Sequence, residues 1–86
     1  NFSDKGISVG EKSYPLISMN TFNNNNIALA IKDSSIAKVE HNIFNNNNED
    51  VSLYIKKKFY GAPKLILNKD NINLNIKNNK GKIIYQ

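Results

Sequence analysis

Two carboxylates, Glu11 and Asp33, stand 22 residues apart at matching points of a repeated sequence. If the repeats stack, these acids lie on neighbouring rungs, where carboxyls about 5–5.5 Å apart could serve a retaining glycosidase. The same oxygens could instead bind calcium together with asparagine carbonyls. Lys12, Lys32 and, on the next rung, Lys57 balance the two acids, as expected for solvated turn residues. Because that third rung supplies lysine rather than another acid, we predict no catalytic residue and no metal ligand here.

The other candidate nucleophiles and ligands are isolated in the sequence. His41, the single histidine, aligns with Met19 in the repeat, so we expect it to be a half-buried packing residue. Ser34 and Ser35 lack a Gly-x-Ser-x-Gly elbow and a defined histidine partner. The chain has no cysteine and therefore no thiolate site or disulfide. We accordingly predict no cofactor and favour a segment without catalytic activity.

Basic and aromatic residues adjoin at one place, where Lys56, Lys57 and Lys58 precede Phe59 and Tyr60. The net charge is +5, but the chain has no arginine for bidentate base contacts and no tryptophan for stacking. We therefore do not expect nucleic acid as a partner. Three consecutive residues at a strand end cannot all face one way, which favours a dispersed, solvated patch. Weak attraction to an anionic polymer, such as acidic polysaccharide or teichoic acid, is the alternative.

These residues are set in a chain that repeats itself, since residues 7–26 align with residues 29–48 at a period of 22. A period in the twenties is typical of a solenoid, in which each repeat is one coil stacked on its neighbour. Seven of the 20 aligned pairs are identical, namely Ser13/Ser35, Asn20/Asn42, Phe22/Phe44 and the four pairs from Asn23/Asn45 to Asn26/Asn48.

Short segments alternate apolar and polar residues, which is the pattern of a half-buried β-strand. No segment has a sustained helical period, so we predict an all-β parallel solenoid of about three to four coils. It is expected to form a single domain over residues 1–86, with coils at about 6–26, 27–50, 51–71 and 72–86. Three apolar triplets, which begin 24 and then 21 residues apart, are expected to stack on one face: Ile27/Leu29/Ile31, Val51/Leu53/Ile55 and Ile72/Leu74/Ile76.

Asparagine is the compositional outlier, and its runs recur at a fixed phase of the repeat. Asparagine tolerates left-handed backbone and bonds its own backbone, so it suits the corners between strands. A corner asparagine can also bond its equivalent one rung away, at about 4.8 Å. We predict such a ladder at Asn20 and Asn42, with Phe22 and Phe44 stacked in the interior beside it. The interleaved apolar residues argue against a disordered Asn-rich tract.

Three stretches, at residues 4–11, 27–35 and 54–62, resemble the repeats of right-handed parallel β-helix proteins of bacteria. That pectate-lyase-like family includes carbohydrate-binding and sugar-hydrolase members. Their sequence is similar to that of the β-helical segments attached to spore-coat-protein-H-like kinases and related envelope proteins. The resemblance implies a right-handed β-helix over nearly the whole chain. It implies no particular activity, because such folds carry lyases, hydrolases, adhesins and spacers alike, and no kinase motif is present.

We therefore expect a non-catalytic module, either a structural scaffold or a carbohydrate-binding segment of a larger bacterial envelope or extracellular protein. The chain lacks an initiator methionine and opens on repeat-like sequence, so we expect a piece of a longer protein. The alternative is a fragment of a polysaccharide lyase or glycoside hydrolase whose catalytic residues lie elsewhere.

Polysaccharide is the expected ligand, and a second copy of the chain is the expected partner. The binding face would carry Ser8, Ala30, Tyr54 and Asn75, with Tyr60 and the run Lys56–Lys58 at its edge. The end coils would present unpaired strand edges, so we expect self-association through these open ends. No run approaches the roughly 18 apolar residues that span a bilayer.

Overall fold

The computed structural model of the protein describes residues 3–56, 61–68 and 73–86. Within those ranges the chain forms ten short β-strands and no helix. Of the residues discussed above, Lys57, Lys58, Phe59, Tyr60 and Ile72 lie outside the described part of the chain. The strands are β1 (Ser3–Val9), β2 (Leu16–Ser18), β3 (Thr21–Asn23), β4 (Asn25–Lys32), β5 (Ile36–Glu40), β6 (Ile43–Asn45), β7 (Glu49–Tyr54), β8 (Lys64–Leu67), β9 (Ile76–Asn78) and β10 (Lys82–Tyr85).

The strands assemble into three parallel sheets. Sheet A has the order β1-β4-β7-β9, sheet B the order β10-β8-β5-β2, and sheet C pairs β3 with β6. The chain visits sheets A, B and C in turn and then returns to sheet A one rung further along. One such circuit is a coil, so β1–β3 form the first coil, β4–β6 the second, β7 and β8 belong to the third, and β9 and β10 to the last. The predicted all-β parallel solenoid is thus confirmed, with about three turns.

The first two coils superimpose residue by residue at the period seen in the sequence. Ile7 pairs with Leu29 in sheet A, and Phe22 pairs with Phe44 in sheet C. The two phenylalanine rings are in contact, with centroids 4.9 Å apart, but they are not stacked as expected. Their planes meet at 79°, so the rings pack edge to face, which suits their quadrupoles better than a parallel sandwich. The buried apolar residues are Val9, Ile17, Phe22, Ala28, Leu29, Ala30, Ile31, Ala37, Val39, Val51, Leu53, Leu65 and Leu67.

The third and last coils correct the expected stacking of the apolar triplets. Leu29 pairs with Val51, and Ile31 pairs with Leu53, so the register expected from the triplets was wrong by two residues. A shift of two residues leaves every side chain on the same face, which is why alternation alone did not reveal it. In the last coil Val51 pairs with Ile76, the first residue of β9, rather than with a strand starting at residue 72.

Gly6 stands where β1 passes close to the second coil. A Cβ at this position would lie 2.6 Å from the carbonyl oxygen of Ala28 and 3.0 Å from Cδ1 of Phe22. The first atom belongs to the backbone of the neighbouring strand and cannot turn aside. Gly10 differs, because a Cβ there would meet only the flexible side chain of Lys32, at 2.8 Å from Cε.

We expect Gly6→Ala to lower the free energy of unfolding by about 1–3 kcal/mol, since the added methyl forces β1 away from β4. Gly10→Ala is the matched control, and it should cost less than about 0.5 kcal/mol because Lys32 can swing away. Chemical denaturation followed by circular dichroism measures both. Similar losses in the two variants would contradict the close approach of β1 to β4 at Gly6.

Candidate functional site

The chain turns between sheets at residues with left-handed backbone. These residues recur one period apart, with φ of 57° and 55° at Asn24 and Asn46, between sheets C and A. Asparagine was expected at the bends, and it provides the left-handed residue at this corner. The other left-handed residues are Glu11, Lys12, Met19, Asp33, Ser34, His41 and Lys80.

The corner between sheets B and C corrects the expectation for His41. The left-handed residues there are Met19 and His41, with φ of 59° and 56°. Both side chains are exposed, so His41 is not the half-buried packing residue that its alignment with an apolar residue suggested. The aligned position is a bend in both coils, and its side chain points to solvent whether it is apolar or polar.

Asn20 and Asn42 follow this bend and form the predicted ladder. The backbone N–H of Asn20 donates to Oδ1 of Asn42 at 2.9 Å. Nδ2 of Asn42 donates back to the carbonyl oxygen of Ile17 at 2.8 Å and to that of Glu40 at 3.1 Å. The buried Asn42 amide therefore satisfies backbone groups on two coils at once, where the bend removes them from the strand ladders.

A second ladder, at the corner between sheets C and A, uses the four-asparagine runs. Oδ1 of Asn47 accepts the backbone N–H of Asn25 at 2.9 Å, and Nδ2 of Asn47 donates to the carbonyl oxygen of Phe22 at 3.0 Å. Two exposed side-chain pairs flank this contact, Asn46 donating to Asn24 at 2.7 Å and Asn48 donating to Asn26 at 2.9 Å. The runs thus have a structural role that depends on their spacing.

Asn75, one of the predicted binding residues, extends this corner into the last coil. Its backbone N–H donates to Oδ2 of Asp50 at 2.9 Å, and its Nδ2 donates to the carbonyl oxygen of Asn48 at 2.6 Å. Asp50 also accepts from Nδ2 of Asn47 at 3.3 Å through its other oxygen. Asn75 is exposed, but its amide already serves the coil-to-coil contact.

Asp33 lies at the corner between sheets A and B and is not the solvated turn residue that the sequence suggested. It is 1% exposed, and its Oδ1 accepts the backbone N–H of Lys56 from the third coil at 2.7 Å. Its carbonyl oxygen accepts the N–H of Lys12 from the first coil at 3.0 Å. Glu11, by contrast, is exposed. The two acids therefore occupy different environments and do not form one solvent-accessible pair.

The two serines beside Asp33 are also part of this corner. Oγ of Ser35, a buried residue, accepts the N–H of Ser13 at 3.2 Å. Oγ of Ser34 accepts the N–H of Gly61, and the N–H of Ser34 donates to the carbonyl oxygen of Gly61 at 2.7 Å. The Ser34 contacts join the longer third coil to the second, and the Ser35 contact joins the second coil to the first. Both hydroxyls therefore have a structural role.

Tyr54 and Lys56, two predicted binding residues, lie at the end of sheet A. Tyr54 ends β7 and pairs with Lys32, and both are partly buried. The Lys32 side chain extends over Gly10 in the first coil, because its Cε would lie 2.8 Å from a Cβ added at Gly10. Lys56 is exposed. Tyr54, Lys32 and Lys56 therefore form a basic, aromatic patch, which we call the sheet A end patch.

The rest of the predicted binding face does not join this patch. Ser8 and Ala30 lie in one row with Ser52, but Ala30 is fully buried and Ser52 nearly so, which leaves no open row of small residues. Asn75 lies near the opposite end of β7, beside Asp50. Sequence reasoning named Lys32 only as a balance for the two acids. Its position one 22-residue period before Tyr54 would have placed it beside that tyrosine.

A pocket of about 180 Å³ lies on sheet B and was also missed. It is smaller than the roughly 300–1,000 Å³ of most ligand pockets, so it fits at most a small group. Its walls come from three coils. The register of these coils in sheet B was unpredictable because the third coil is longer than the first two. It is lined by Lys38, Val39, Glu40, Ile66, Leu67, Asn68 and Gln86.

No protein-family model, no curated protein and no solved structure matches the chain. Among residues 3–56, 61–68 and 73–86, no three His, Cys, Asp or Glu side chains gather in a way that could hold a metal ion. The same residues include no helix of the length and apolar character needed to cross a membrane.

We expect Asn42→Ala to lower the free energy of unfolding by about 1–3 kcal/mol, because it leaves the Asn20 N–H and the Ile17 carbonyl without their partner. Asn26→Ala removes an exposed side chain that, within the described part of the chain, accepts one hydrogen bond from Asn48, and it should cost no more than about 0.5 kcal/mol. Equilibrium unfolding in urea compares the two. Equal effects would mean that asparagine acts here through composition rather than through position.

Proposed function

We propose that this chain is a non-catalytic β-solenoid module, which serves as a rigid scaffold in a larger bacterial envelope or surface protein. The observation that carries the proposal is the use of its polar side chains. The amides of Asn42 and Asn47, and the carboxylates of Asp33 and Asp50, bond to backbone groups of neighbouring coils. The resemblance to right-handed β-helix repeats of bacterial proteins supports the same context.

These contacts favour a stiff element. Each corner contact ties one coil to the next, so bending the solenoid would break hydrogen bonds in sheets and corners together. Repeats that contact only their neighbours make a quasi-one-dimensional body whose length grows with coil number. Such a body suits the task of holding other segments at a set distance.

A polysaccharide contact at the sheet A end patch is the second part of the proposal. Tyr54 offers a ring that can pack against a sugar, and Lys32 and Lys56 offer positive charge beside it. The net charge of +5 attracts anionic polymers at low ionic strength. Acidic polysaccharide is therefore the ligand class that we propose, with Lys57, Lys58 and Tyr60, which follow Lys56 closely in the sequence, as further contacts.

The alternative, a fragment of a lyase or hydrolase, is less well supported by the geometry. The acid that would pair with Glu11 is Asp33, which is buried and bound to the backbone of Lys56. If the chain cleaves a polysaccharide and Glu11→Gln abolishes that cleavage, the lyase or hydrolase alternative is established and the non-catalytic proposal is wrong.

Binding to polygalacturonate, with neutral dextran as comparison, tests the carbohydrate part of the proposal. We expect Tyr54→Ala and Tyr60→Ala each to weaken binding about tenfold, which corresponds to about 1.4 kcal/mol, and added salt to weaken it further. Tyr14→Ala is the matched control, because Tyr14 is an exposed tyrosine of the first coil that is not one of the patch residues. Isothermal titration calorimetry measures all three variants.

Binding that is unaffected by Tyr54→Ala, or equally reduced by Tyr14→Ala, would remove the sheet A end patch as the site. If neither polymer binds, the carbohydrate part of the proposal is wrong and the scaffold part remains. A scaffold role would itself be contradicted by a chain that unfolds in separate steps rather than cooperatively.

A further inference from the structure

Lysine side chains occur at the corner between sheets A and B on all four coils. The first coil carries one lysine in the bend itself, and the second coil carries one at the end of β4. The third and last coils carry two each, of which the second begins the following strand of sheet B. Five of these residues are exposed and Lys32 is partly buried. We call this set the lysine ridge, and it consists of Lys12, Lys32, Lys56, Lys64, Lys80 and Lys82.

Backbone hydrogen bonds hold the ridge in register from coil to coil. Asp33 of the second coil accepts the N–H of Lys12 with its carbonyl oxygen at 3.0 Å and the N–H of Lys56 with Oδ1 at 2.7 Å. Further along, Lys64 and Lys82 are direct partners in sheet B. The ridge therefore runs parallel to the solenoid axis and spans three steps of about 4.8 Å each.

Few acids lie at this corner. The carboxylate of Asp33 is buried, and Glu11 is exposed in the bend of the first coil. The other acids that the structure describes belong to the two remaining corners, with Asp4, Glu49 and Asp50 where β1 and β7 begin and Glu40 where β5 ends. Lysine thus outnumbers acid along the ridge, and the ridge carries an excess of positive charge.

Two lysines away from this corner each lie beside an acid. Nζ of Lys5 is 3.5 Å from Oδ2 of Asp4, and Nζ of Lys77 is 3.9 Å from Oε2 of Glu49. The positive charge of the chain is therefore segregated, with its excess arranged along one line of the solenoid. A line of like charge is complementary to a linear polymer of the opposite charge.

We propose that the lysine ridge binds a linear acidic polysaccharide that lies along the solenoid axis and crosses all four coils. This inference rests on the proposed function, because it extends the sheet A end patch to lysines of the first and last coils and of sheet B. Tyr54 packs against one sugar on the third coil, and the lysines before and after it contact carboxylates. Duplex nucleic acid fits less well, since the chain has no arginine for bidentate base contacts.

The double variant Lys64→Gln/Lys82→Gln tests the ridge, because both lysines lie in sheet B and outside the sheet A end patch. We expect it to bind polygalacturonate about tenfold more weakly and with a shallower dependence on salt, since fewer counterions are released. Isothermal titration calorimetry at several salt concentrations measures both effects.

Lys5→Gln/Lys77→Gln is the matched control, because it removes the same two charges from outside the ridge. Its affinity should stay within about twofold of that of the unmodified chain, since exposed charges away from the polymer are screened. Circular dichroism of both double variants verifies that they are folded.

Amide chemical shifts of the isotopically labelled chain test the direction of the polymer. Added oligogalacturonate should shift the amides of Lys12, Lys56, Lys64 and Lys82, which follow the ridge from the first coil to the last. Shifts confined to a single coil would overturn the axial placement.

The outcomes separate this inference from the proposed function. If Tyr54→Ala weakens binding and Lys64→Gln/Lys82→Gln does not, the sheet A end patch stands and the ridge is wrong. Equal losses in the two double variants would also overturn the ridge, because they would show a general effect of net charge. Tighter binding to duplex DNA than to polygalacturonate at the same salt concentration would overturn polysaccharide as its partner. A chain that binds no polygalacturonate would contradict both proposals.

Discussion

The structure depends on one recurrent interaction, a corner side-chain oxygen that accepts a backbone N–H from the neighbouring coil. Parallel sheets satisfy the backbone along the strands, but each bend takes residues out of the ladder and leaves their N–H groups without a strand partner. Asn42 supplies the missing acceptor for Asn20, and Asn47 supplies it for Asn25. Ser35 does the same for Ser13 at the third corner. The strands can stay short because the bends between them are also bonded.

This interaction also gives two of the acidic residues a structural partner. Oδ1 of Asp33 accepts the N–H of Lys56, and Oδ2 of Asp50 accepts the N–H of Asn75. Each carboxylate therefore takes the role that an asparagine oxygen has elsewhere, and it bonds toward the following coil. Acids placed at bends of a solenoid do not indicate catalysis until their partners are known. The bends between sheets B and C place Met19 and His41 in left-handed backbone, which is a modest cost for residues other than glycine.

Much of the fold follows from the sequence, because a 22-residue period and alternating apolar residues determine the stacking of the first two coils. The Asn20–Asn42 ladder and the Phe22–Phe44 contact were both predictable from that period. In sheet A the third coil keeps the same 22-residue spacing, as the pairing of Leu29 with Val51 shows. Matching the apolar triplets instead gave a register two residues away, which keeps the side chains on the same face. Burial of Asp33 was also hidden, because it depends on a Lys56 backbone group that only the three-dimensional path brings near. The proximity of Lys32 to Tyr54, by contrast, follows from extending the 22-residue period to the third coil.

The most direct test is a scalar coupling across the hydrogen bond between the Asn20 amide and the Asn42 side chain, measured by nuclear magnetic resonance on the isotopically labelled chain. The 2.9 Å contact should give a cross-peak between the Asn20 amide nitrogen and the Asn42 carboxamide carbon, alongside those of the strand ladders. Strand couplings without that cross-peak, together with fast exchange of the Asn20 amide proton, would contradict the corner bond on which the coil stacking rests.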